Sequence, residues 1–252
     1  MKVFPEQTRT QEDLRPVLPS IQWALAAARR ATESQYDPAT GHDRTIRGHL
    51  LHNQVCDRLD RAFSAGNYQR QAGSESPIDD SALFESLSQD EIESMPNLKP
   101  GVVRREDVNQ SPAWRFGDIT LLPQSFTAEP FESWVWSQRS RKTKRNIAQI
   151  EYDFDGQPGD QMHLGIGPDL LPAGDFLIIG YRYTGTTFEA GIGVARDNKF
   201  GGRPWHWFTK LDPWKPTTIL VPESELLVEP HRINRNVSLK RESQQSKSVS
   251  YT

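Results

Sequence analysis

The chain holds one cysteine, Cys56, among 252 residues. An internal disulfide is therefore excluded, and such sparing use of thiols fits a reducing cytoplasm. No apolar run approaches the ~20 residues of a membrane span. The opening Met1-Lys-Val-Phe-Pro-Glu-Gln-Thr8 lacks the apolar centre of a secretory signal. The expected setting is soluble and cytoplasmic, with no membrane partner. A net charge of −3 excludes an overall basic coat, so any nucleic-acid binding has to be local. Apolar residues are few, at 35% with a mean hydropathy of −0.68. A sizeable part of the chain is then expected to be loop or disordered. Several signatures of catalysis are missing: G-x-S-x-G, the phosphate-binding P-loop, C-x-x-C and H-E-x-x-H. The reading leans away from an enzyme.

What is present begins with a hairpin. Residues 175–183 (DFLIIGYRY) and 187–196 (TFEAGIGVAR) are rich in β-branched and aromatic side chains, with Thr184-Gly185-Thr186 between them. Gly185 at the first central position of a type II′ turn sets the register. It pairs Tyr183 with Phe188, Tyr181 with Ala190, Ile179 with Ile192 and Leu177 with Val194, a wholly apolar face. The other face pairs Arg182 with Glu189, Gly180 with Gly191 and Ile178 with Gly193. A one-residue slip would mix the two faces, so the register is strongly specified. The glycines on the second face admit a close neighbour, whether a ligand, another backbone or a packed aromatic. That face is expected to stay accessible.

Around the hairpin the chain divides into four regions. Residues 1–66 read as an irregular lead-in followed by a helical hairpin. Its first helix covers about 20–32 with Ser20 as cap, and its second about 44–63, closing at Ala65-Gly66. Residues 67–112 read as a solvated acidic connector, since 75–95 carries seven carboxylates and no cation. Ser88-Gln-Asp-Glu91 is a capping-box pattern for a short helix over 89–95. Residues 113–230 are β-rich, with strands expected over 118–122, 149–154, 162–166, 205–211 and 217–221 besides the hairpin. Stretches 129–137 and 142–150 are alternative helices. Residues 231–252 read as a disordered tail. The fold class is α+β, with an antiparallel sheet or half-open barrel.

Two constellations carry chemistry. His49, His52 and Cys56 lie along one edge of the apolar face of the second helix. His49 and Cys56 are about 10.5 Å apart along the axis, so a divalent metal could take His49 with His52, or His52 with Cys56, but not easily all three. The shell would need carboxylates from the C-terminal half, Asp175 and Glu189 being the candidates for a metal-dependent hydrolase or nuclease. Such a site would want lysine two residues after Glu189, where Gly191 stands. The acidic turn of Glu151, Asp153, Asp155 and Asp160 does not have the spacing of an EF-hand loop.

The basic run is the stronger signal. Arg139, Arg141, Lys142, Lys144 and Arg145 occur within seven residues, directly after Trp134 and Trp136. Trp205 and Trp207, expected on one strand face, are rimmed by Lys199, Arg203, Lys210 and Lys215. Aromatic faces beside cations are what a single strand needs, stacking for bases and charge for phosphates. The expectation is a non-catalytic accessory protein without cofactor, whose β-rich domain binds a partner, nucleic acid first, through that basic-aromatic surface. The alternatives are the metal-dependent hydrolase and a purely protein-binding adaptor.

Overall fold

A computed structural model of the chain describes residues 2–70, 81–126, 129–136, 142–150, 152–153 and 174–215. These belong to one unit, Met1–Pro216, and the second unit, Thr217–Thr252, lies outside the described residues. So do the strands expected over 162–166 and 217–221, the tail, and most of the acidic turn at 151–160. Among the described residues no helix is long and apolar enough to cross a membrane.

The helices begin earlier than the sequence suggests. Within the expected irregular lead-in, Glu6 accepts hydrogen bonds from Thr8 N (3.0 Å) and Arg9 N (2.8 Å) and starts helix α1, Gln7–Leu14. Helix α2, Leu18–Gln35, opens with Pro19 in its first turn, where its missing N–H costs nothing. Ser20, expected as a cap, is instead buried inside the helix. Asp43 caps helix α3, Arg44–Ala62, by accepting from Ile46 N at 2.9 Å. The helical hairpin of α2 and α3 thus forms as expected.

The fold is α+β. Six strands hydrogen-bond in the order β2-β3-β4-β6-β7-β8: β2 Arg104–Arg105, β3 Trp114–Phe116, β4 Ile119–Ser125, β6 Asp175–Tyr183, β7 Phe188–Ala195 and β8 Trp205–Lys210. The sheet is open, not a barrel. Two further short strands, β1 Lys2–Val3 and β5 Tyr152–Asp153, pair separately in parallel. The β6–β7 register runs from Tyr183–Phe188 to Ile178–Gly193, six of the seven pairs read from the alternation. Gly185 has φ +100° and Thr184 N donates to Thr187 O at 3.1 Å, closing the turn.

One sheet pairing departs from the expectation. Strands β4 and β6 run parallel, Ile119 opposite Asp175 through Ser125 opposite Tyr181. Parallel neighbours need a long crossover. Residues 126–174 supply it, and they carry the helix α6, Lys142–Ala148. The sheet is therefore covered on both faces. Leu177, Ile179, Tyr181, Ala190 and Ile192 pack with Ile21, Ala24, Leu51, Val55 and Leu59 of α2 and α3. On the opposite face Phe126, Phe131, Trp134, Trp136 and Ile147 of the crossover pack with Phe176, Ile178 and Trp205.

That second layer overturns the expected accessible glycine face. A Cβ at Gly180 would stand 3.0 Å from Phe126 Cε2 and 3.4 Å from Phe131 Cε1. At Gly193 it would stand 2.9 Å from Phe208 Cδ2. The missing side chains leave room for phenylalanine rings, not for a ligand.

The connector is docked, not merely solvated. The connector carries helices α4, Ser81–Phe84, and α5, Gln89–Ser94, and α5 opens with the expected capping box of Ser88 and Glu91. Arg61 donates to the carbonyls of Ala82 (3.1 Å) and Leu83. Trp23 Nε1 donates to Ser94 Oγ at 3.3 Å, and buried Glu91 faces Arg30 at 3.7 Å. Apolar Leu87, Met95 and Leu98 pack on the helical core beneath.

Gly191→Ala tests the packed glycine face. Its new methyl would fall on Phe208 and 2.6 Å from Thr209 O, backbone that cannot move cheaply. Overpacking of this kind costs about 1–3 kcal/mol. Urea denaturation should show that loss, and an unchanged midpoint would mean the face is loosely covered.

Candidate functional site

The histidine–cysteine group is structural in its contacts. His52 reaches from α3 to the sheet, its Nδ1 2.6 Å from the hydroxyl of Tyr181, a fully buried phenol. Burial raises the Tyr181 pKa well above its usual value, so the hydroxyl keeps its proton beside the ring. Cys56 Sγ lies 3.9 Å from the other ring nitrogen. Burial pushes this thiol up to about 12, which opposes the thiolate a metal would require. His49 is exposed on the same helix. Among the described residues no group of three or more His, Cys, Asp or Glu side chains is placed to hold a metal ion.

The carboxylates named with these histidines stand elsewhere. Glu189 is cross-strand from Arg182, which it pairs with, and also meets Lys210 Nζ at 3.6 Å. Arg182 alternates with Tyr181, so Glu189 is on the sheet face opposite His52. Asp175 begins β6, seven residues from Arg182 and hence about 23 Å along the strand. The structure does not bring His49, His52, Asp175 and Glu189 together.

The four tryptophans are also committed. Trp134, Trp136, Trp205 and Trp207 are only 4%, 0%, 7% and 8% exposed. Trp136 Nε1 donates to Pro204 O (2.6 Å), Trp205 Nε1 to Phe131 O (2.9 Å) and Trp207 Nε1 to Pro5 O (2.8 Å). Their faces are closed by neighbours: Trp205 packs on Phe208 at 4.5 Å and on Trp136 at 5.1 Å between centroids. Nor do Trp205 and Trp207 share a strand face. The β7–β8 register shifts between Val194–Trp207 and Ala195–Trp205, leaving His206 as an extra residue in β8. This bulge turns Trp205 into the crossover layer while Trp207 stays with the helices.

The cations divide. Arg139 and Arg141 lie outside the described residues. Lys142 is exposed, Arg145 is half-buried, and Lys144 is buried at 4% exposure. Lys142, Thr143 and Asn146 line an open polar cleft of about 250 Å³ with Asn109, and no carboxylate is among the four. Asn109 and Gln110 hold positive φ in the tight Val108–Ser111 turn that forms its far wall.

The β7–β8 loop, joined to the far end of α6, carries a residue that the sequence reading missed. Phe200 is 91% exposed, against 38% for Ile46 and 37% for Val102, the other exposed large apolar side chains among the described residues. Its loop is anchored at the root. Asn198 is buried, donating through Nδ2 to Trp134 O (2.7 Å) and accepting from Trp136 N (3.3 Å). Asp197 N donates to Ala148 O, the last residue of α6, at 2.7 Å. Arg196, Lys199 and Arg203 are exposed on the same loop. The signal was legible as Lys199-Phe200-Gly201-Gly202, an aromatic between a cation and paired glycines in a turn. The comparisons give no guide to a ligand: no protein family, curated protein or solved structure matches the chain.

The bulge has a pH consequence. Burial, helped by Arg196, depresses His206 to about 4 from its usual 6.5, and its ring meets Phe4 edge-on at 5.4 Å between centroids. Between those pH values the unfolded chain binds a proton that the folded one does not. Stability is therefore full above about 6.5 and falls as pH drops towards 4, by about 1–2 kcal/mol for a half-buried ring. His206→Gln should flatten thermal-melt midpoints across that window. A wild-type midpoint that does not change between pH 6.5 and 4.5 would contradict the burial.

Proposed function

We propose that this protein is a non-catalytic binding protein whose partner is a nucleic acid, held at the surface shared by α6 and the β7–β8 loop. The observation that carries the reading is the join between them. Ala148 O and Asp197 N tie the helix that bears Lys142 to the loop that bears Lys199 and Arg203. Cations from two distant stretches are thus linked, with a cleft between Lys142 and Asn109 that has no carboxylate among its described lining residues. By sequence, Arg139 and Arg141 add to the charge entering α6.

Phosphate contacts position a strand without reading its sequence, and they fail with salt. This reading no longer relies on the tryptophans for stacking, because their faces are buried. It also leaves the histidine group out, since His52 is occupied by Tyr181.

Fluorescence anisotropy of a labelled oligonucleotide at two salt concentrations tests it. Three phosphate contacts, at Lys142, Lys199 and Arg203, would weaken single-strand binding about twentyfold between 50 and 200 mM salt. Lys142→Glu should weaken binding further at the lower salt and reduce the salt slope. Absence of any binding at 50 mM salt would end the reading.

A further inference from the structure

We infer that Phe200 is a stacking platform for an unpaired base, so that the ligand of this surface is a single strand rather than a duplex. The inference rests on the nucleic-acid reading above and adds the class of strand. A large ring that is 91% exposed on an otherwise mobile tip would carry little weight. Here the tip is held: Asn198 is buried between the backbones of Trp134 and Trp136, Gly201 N donates to Asn198 O at 3.0 Å, and Lys199 N donates to Asp197 Oδ1 at 3.0 Å. The ring is presented from a loop tied at its root and across its turn by these hydrogen bonds.

Its surroundings select the occupant. Lys199 Nζ lies 5.2 Å from the ring centroid, a cation over an aromatic face. Arg196 and Arg203 are exposed at the two ends of the loop. A Cβ added at Gly201 or Gly202 would meet nothing within 4 Å, so the chain beside the ring is open to an approaching ligand. Protein grooves recognise clusters of apolar anchors, and Phe200 has no exposed apolar neighbour on its loop. A lipid surface would receive this one ring and no more. A base needs one π-face with cations at phosphate reach, which is what the loop offers. A duplex keeps its bases stacked on one another and has no free face for the ring, so only an unpaired strand uses it.

The test uses the whole chain and two probes, a labelled 20-nucleotide oligo-dT and a duplex of the same length, at 50 mM salt. Phe200→Ala should weaken oligo-dT binding about five- to a hundredfold and leave duplex binding and the salt slope unchanged. Phe200→Trp should restore oligo-dT binding, with the added indole emission quenched by the oligonucleotide. Equal oligo-dT affinity of wild type and Phe200→Ala, with Lys142→Glu still weakening both, would overturn the stacking role while the nucleic-acid reading stands. No binding of either probe by the wild type would overturn both. Phe200-dependent sedimentation with phosphatidylserine vesicles, without oligo-dT binding, would assign the ring to a lipid surface and overturn the inference.

Discussion

Phenylalanine rings resting on bare backbone hold the second layer of this protein to its sheet. Gly180, Gly191 and Gly193 form a strip across β6 and β7; Phe208 leaves no room for a methyl group at Gly191 and Gly193, and Phe126 and Phe131 lie close over Gly180. Phe126 in turn meets Phe131, Trp134, Trp136 and Trp205 at centroid distances of 4.6–5.9 Å. The crossover between parallel strands β4 and β6 is folded down by this aromatic cluster. With it come α6 and the partners of Asn198, so the surface proposed to bind depends on a packing event beneath it. Tryptophans placed beside arginines in the sequence thus position the cations indirectly, by forming the floor under them.

The hairpin register was legible because period-two alternation admits one arrangement, and six pairs follow it. What the alternation cannot show is an inserted residue. His206 breaks the period in β8, and Trp205 goes to the face opposite Trp207. The end of α3 gives a second case. Ala65-Gly66 was the expected stop, yet Ser64 takes the left-handed position, at φ 47°, with Ala65 N bonded to Asp60 O at 2.8 Å and Ser64 N to Arg61 O at 3.0 Å. That is the Schellman arrangement with serine in the place glycine usually fills. Parallel pairing of β4 with β6 was hidden for another reason. Strand direction follows from which segment fills the crossover, and the packing of 126–136 on the sheet is a tertiary fact.

On the other face, Asp57 and Asp60 of α3 anchor the connector through Tyr68 and Arg105. Burial opposes the Asp57 charge, yet Tyr68 (2.6 Å), Arg61 (2.9 Å) and Arg58 hold its carboxyl below the usual range. Asp60 receives Arg105 at 2.6 Å and Trp114 Nε1 at 2.8 Å, and burial still lifts its pKa. These acidic residues near the histidines are thus partners of arginines. His52 followed the same logic: a polar group on the rim of an apolar stripe found the phenol of Tyr181 buried beneath it. Buried polar groups demand partners, and a sequence shows the demand before it shows the partner.

An acidic chain can present a basic site because electrostatic reach is short. At 0.1 M salt the screening length is about 10 Å, so a ligand at the β7–β8 loop responds to that loop and its neighbours, not to the net −3. From Arg196 to Arg203 there are three cations and one carboxylate, and that carboxylate, Asp197, is engaged with Lys199 N. Anchoring matters as much as charge. A ring fixed before the ligand arrives loses less conformational freedom on binding than one on a fluctuating tip. The buried Asn198 and the Ala148–Asp197 hydrogen bond therefore serve the proposed binding surface, although neither would touch a ligand.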